Sequence, residues 1–76
     1  MNKDQRKRLS ELTDSLQEVL NELESIRDEE QDKLDNMPEN MQSSERAERF
    51  QEVIDDLDSA IDNIDTAMEC IGTAME

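Results

Sequence analysis

Residues 54–74 read Ile54-Asp-Asp-Leu-Asp-Ser-Ala60, Ile61-Asp-Asn-Ile-Asp-Thr-Ala67 and Met68-Glu-Cys-Ile-Gly-Thr-Ala74, three consecutive heptads of one pattern. Each opens on a large apolar residue, places a second three positions on, and closes on alanine. Extended both ways, the seam runs Ala47, Phe50, Ile54, Leu57, Ile61, Ile64, Met68, Ile71 and Met75, in alternating steps of three and four. Only a helix, at about 3.6 residues per turn, gathers such positions on one face. A further line, Val53, Ala60, Ala67 and Ala74, recurs every seven residues beside that seam. Its alanines let a neighbouring helix approach closely, while the Ile and Leu positions supply buried area. Ser43 or Ser44 is placed to cap the helix, with Glu45 and Glu48 set favourably against its N-terminal dipole.

Upstream, Leu9, Leu12, Leu16, Val19, Leu23 and Ile26 form a second seam of the same spacing, with Leu20 widening the stripe at one flank. The next seam position is Glu30, so this helix is expected to fray or bend from about residue 28. Glu30 marks the point where the seam reaches solvent or, alternatively, a polar specificity element in an oligomer core. Pro38 interrupts the stretch Asp35-Asn-Met-Pro-Glu-Asn-Met-Gln-Ser-Ser44 and cannot continue a preceding helix, though it can open a short helical turn of its own. The expectation is one all-α domain spanning 1–76, with helix one over about 4–34, a connector over 35–43 and helix two over about 44–75. Two such helices fold back as an antiparallel hairpin. That would bring the basic Lys3–Arg8 end beside Glu69 and Glu76. Two helices cannot cover apolar stripes three positions wide. The spacing therefore predicts a dimeric four-helix bundle, associating through Ile54, Leu57, Ala60, Ile61, Ile64, Ala67, Met68 and Ile71.

Composition narrows the function. Twenty-two acids against eight bases give a net charge of −14. Residues 1–8 carry +3, so the remainder carries −17, and no Lys or Arg occurs from Phe50 onward. Such a chain is repelled by nucleic acid and anionic membranes and drawn to basic protein surfaces. There is no His, no Trp, no Tyr and no Gly-rich phosphate loop. No catalytic residue is expected, and no cofactor. Cys70 is the single cysteine, which excludes an internal disulfide framework and suits a reducing cytoplasm. No apolar run approaches a membrane span, and the N-terminus has no signal-peptide character.

Two acidic constellations stand out. Asp55, Asp58, Asp62, Asp65 and Glu69 follow the helical 3, 4, 3, 4 spacing and line one face as a ladder. A solvated face that keeps a small protein soluble is the commoner meaning of such a run. What favours a binding role is the absence of interspersed bases, because like charges at these spacings destabilise a helix by a few tenths of a kcal/mol per pair. The second group, Asp28, Glu29, Glu30, Asp32 and Asp35, lacks the glycine turn and spacing of a calcium loop. It reads as a charged helix end, and no metal is expected.

The segments Ile26-Arg-Asp-Glu-Glu-Gln31, Asp35-Asn-Met-Pro-Glu-Asn-Met-Gln42 and Ser44-Glu-Arg46 resemble a signature of small acidic proteins of phages and prophages. It covers residues 26–46 and is followed by the same kind of acidic helix. The group carries no assigned activity, so the resemblance implies a genetic setting rather than a chemistry, with Pro38 as the characteristic connector. In that setting the expected function is inhibition of a nucleic-acid-binding host defence protein by DNA mimicry, the ladder meeting a basic groove. The alternative is a structural or adaptor coiled-coil module whose apolar stripe is the working surface.

Overall fold

The computed structural model describes residues 1–41 and 44–76. Asn2 opens the first helix: its Oδ1 accepts from the Gln5 N–H at 2.8 Å, while Gln5 Oε1 accepts from the Asn2 N–H at 3.2 Å. This reciprocal capping box satisfies donors that a helix start otherwise leaves unpaired. Helix α1 then runs Lys3–Asp35 without interruption. The fraying expected from residue 28 does not occur, because short-range pairs hold the last turns. Lys33 Nζ lies 2.8 Å from Glu30 Oε1, Gln31 Nε2 donates to Asp35 Oδ1 at 3.0 Å, and Leu34 is half-buried.

Beyond Asn36, Pro38 begins a single 3-10 turn over Glu39–Met41, closed by the Met41 N–H donating to the Pro38 carbonyl at 2.8 Å. Pro38 loses nothing there, since the first residues of a helical turn have no intrahelical partner for their N–H. Ser44 caps helix α2, Glu45–Ala74, its Oγ accepting from the Ala47 N–H at 3.3 Å. Gln42 and Ser43, the latter named above as a possible cap, lie outside the described residues. The helices pack against each other as an antiparallel hairpin measuring 59 × 15 × 12 Å. The fold is all-α.

Packing in α2 follows the heptads. Ile54 is 2% exposed, Ala47 is buried, and Phe50, Leu57, Ile61, Ile64, Met68, Ile71 and Met75 are half-buried. Packing in α1 differs from the seam expected for it. Leu9, Leu16 and Leu23 face inward, but the second inward line is Thr13, Leu20, Arg27 and Leu34, with Leu20 only 4% exposed. Leu12, Val19 and Ile26 are turned out, at 56%, 48% and 39% exposure. Of the two lines flanking Leu9–Leu16–Leu23, the less apolar one is chosen. It alone brings Arg27 to Asp58 across the hairpin and ends on Leu34 beside the connector, whereas the other line leads to Lys33. The hydroxyl of Thr13 is compatible with its half-buried place because it donates to the Leu9 carbonyl at 3.0 Å.

Candidate functional site

The hairpin has two long sides of opposite character. On one stands the carboxylate ladder. Asp55, Asp62, Asp65 and Glu69 are exposed, and Asp58 is half-buried. Asp55 accepts from Gln51 Nε2 at 3.0 Å. Asp58 is held differently, since Arg27 Nε donates to its Oδ1 at 2.8 Å while Arg27 Nη1 reaches Asp28 Oδ1 at 3.0 Å. These bonds, the one to Asp58 foremost, hold the Arg27 guanidinium above its ordinary pKa. Glu24, Arg27, Asp28, Asp58 and Ile61 share one shallow groove. The acidic side is therefore built by both helices, with Glu24 and Asp28 joining the ladder from α1.

Arg27 and these two acids were missed by reading α2 alone. The signal for Arg27 was present in α1: it falls seven residues after Leu20 and seven before Leu34. Among the described residues, Arg27–Asp58 is the ion pair that joins the two helices. The compensation expected between Lys3–Arg8 and Glu69 or Glu76 is not formed as an ion pair; Arg8 turns instead to Asp4 of its own helix, at 3.5 Å.

The other side is apolar. Glu30, Arg46, Arg49, Phe50 and Val53 line one groove there, which places Val53 on the same side as Glu30. Ile26 stands one turn before Glu30, with Val19 and Leu12 at further steps of seven, so this α1 line and the Val53–Ala60–Ala67 line of α2 flank the same side. Of the residues expected to mediate association, Ile54 is consumed inside the hairpin. Leu57, Ala60, Ile61, Ile64, Met68 and Ile71 keep part of their surface open, and Ala67 is exposed. Bases edge this side: Arg8 shares a hollow with Leu12, and Arg46 and Arg49 flank Phe50, with the Arg46 guanidinium 5.9 Å from the ring centre.

Glu30 stays half-buried at its seam position, and its carboxylate raises the pKa of Lys33 through their hydrogen bond. Met37 and Met41 line the hairpin tip with Pro38 and Phe50. Cys70 is exposed as a free thiol. Among the described residues no group of three or more His, Cys, Asp or Glu converges as a metal site would, and no helix is long and apolar enough to cross a membrane. The chain matches no family model, no curated protein and no solved structure.

Proposed function

We propose that this is a non-enzymatic acidic binding protein that inhibits a nucleic-acid-binding protein by occupying its basic groove as a DNA mimic. One observation carries the reading. Asp55, Asp62, Asp65 and Glu69 stand exposed along one side of a helix that has no base from residue 50 onward. With Asp58 they place five carboxylates over about 21 Å of helix, at about 1.5 Å per residue. That is one charge per ~5 Å, the same order as the phosphate every ~3.4 Å of axis on one DNA strand. The net charge of −14 would steer encounter with a basic surface. The resemblance to small acidic phage proteins makes a host defence protein the expected class of target, met in a reducing cytoplasm.

The experiment is capture of partners from host extract at low and high salt, with wild type and with an Asp55→Asn, Asp62→Asn, Asp65→Asn variant. Asp58 is left alone because it holds Arg27. Mimicry predicts nucleic-acid-binding proteins that are captured at low salt, displaced by duplex DNA, and bound more weakly by the variant, chiefly through slower association. Equal capture by the variant at both salt concentrations would sink this reading. A second reading, an adaptor module working through its apolar side, draws on the exposure of Leu12, Val19 and Ile26. It predicts capture that survives high salt.

A further inference from the structure

We infer that the apolar side of the hairpin is covered by a second copy of the chain, lying antiparallel, with α1 against α1 and α2 against α2. This inference is independent of the acidic side and of its target. The area argument comes first. The hairpin exposes 5713 Å², whereas a compact monomer of its 8.8 kDa exposes about 4,800 Å² by size scaling. The excess, about 900 Å² per chain, matches the ~800 Å² that each partner contributes to a standard stable interface. It accompanies a thin core, in which Leu20, Ala47 and Ile54 are the only buried residues among those described.

The pattern of the uncovered lines says what kind of surface fits. Leu12, Val19 and Ile26 on α1, and Val53, Ala60 and Ala67 on α2, recur at seven-residue intervals over about 21 Å each. A partner must offer apolar lines of the same period and length, and this chain offers them. Val19, eight residues before Arg27, is level with Thr66, eight residues after its partner Asp58, and so with the turn carrying Ala67. A two-fold axis crossing the hairpin at that height sets Val19 near its own copy, and Leu12 opposite Ile26 of the other chain. It also lets the alanine lines of the two α2 helices approach closely.

Charge selects the antiparallel orientation. Arg46 and Arg49 edge the apolar side at the hairpin tip, and the last turn of α2 contains no base. Antiparallel copies about that axis instead bring Arg8, which shares a hollow with Leu12, level with Glu30 of the other chain on the same apolar side. Parallel copies would put tip beside tip and crowd Arg46 and Arg49 against Lys33 of the other chain.

The full chain tests this in two ways. Sedimentation equilibrium of wild type should give twice 8.8 kDa, and Val19→Glu should return it to the monomer mass while wild-type mass is retained by Glu22→Gln on the outer face. A monomeric wild type, a higher oligomer, or a Val19→Glu chain that stays dimeric overturns the inference. Orientation is read by oxidative cross-linking in a Cys70→Ser background. Val19→Cys should yield a disulfide-linked dimer, and Lys33→Cys should not. Cross-linking of Lys33→Cys in place of Val19→Cys would overturn the antiparallel arrangement even in a stable dimer.

Discussion

The two helices have nearly the same length and the same heptad arithmetic, yet their seams behave differently. In α2 the positions chosen by spacing are the positions that face inward, from Ala47 to Met75. In α1 the spacing selects Leu12, Val19 and Ile26, and the hairpin turns them out in favour of Thr13, Leu20, Arg27 and Leu34. The contrast teaches what a heptad leaves undetermined. Periodicity locates the stripe on the helix, but where three adjacent lines are apolar it does not say which pair of lines meets the partner. That choice falls to contacts made across the hairpin, here the Arg27–Asp58 bond at 2.8 Å.

The contrast is easiest to break with charge. Ile54→Asp puts a carboxylate into the most buried position of α2 and is expected to cost on the order of 4 kcal/mol or more, enough to remove the helical signal of so small a core. The same change at Ile26 meets a side chain already 39% exposed in the hairpin and is expected to cost clearly less when both are measured at one concentration too low for the chains to associate. Circular dichroism during urea unfolding compares the two. Equal losses would mean that Ile26 lies inside after all.

Within α1, truncation separates adjacent residues. Leu20→Ala removes a fully buried side chain and should lower stability by about 2–4 kcal/mol. Val19→Ala, one position away, should cost about 1 kcal/mol or less when both are compared at concentrations too low for the chains to associate, the ordinary result for a part-exposed site. A larger loss at Val19 than at Leu20 would restore the seam read from spacing.

The fold was legible because proline is confined to Pro38 and the α2 heptads repeat without a break from Ala47 to Met75. The end of α1 was legible to within a residue, about 34 against Asp35, but that its last turns hold without fraying was not, because they rest on side-chain pairs such as Lys33–Glu30 rather than on the apolar period. The carboxylate ladder on α2 was readable from its spacing. Its neighbours Glu24, Arg27 and Asp28 were not, since only the register between the helices puts them beside Asp58.

That register can be weighed directly. Arg27→Met keeps the aliphatic stem and deletes the bond to Asp58. Because both partners remain partly solvated, the loss should be well below that of Leu20→Ala. A double-mutant cycle with Asp58→Asn isolates the pair, and a small favourable coupling is expected. Zero coupling would remove the electrostatic reason offered for the turn of α1.

The smallest expected effect lies at the tip end of α1 and appears only in base. The hydrogen bond to Glu30 raises the Lys33 pKa above 10.5. A group whose folded value is raised stabilises the native state fully below its unfolded value, and that contribution disappears as pH climbs through the folded value. Arg27 is raised in the same sense from the much higher ordinary value of a guanidinium, so it stays charged through the range where Lys33 titrates. Wild type should therefore hold a constant contribution from Lys33 up to about pH 10 and lose it above. Lys33→Met, which has no ammonium to lose, should show a flatter alkaline profile in the same thermal melts. If the two profiles stay parallel above pH 10.5, the Lys33–Glu30 contact does not support the last turns of α1. Continuation of that helix to Asp35 would then rest on Leu34 and Gln31 alone.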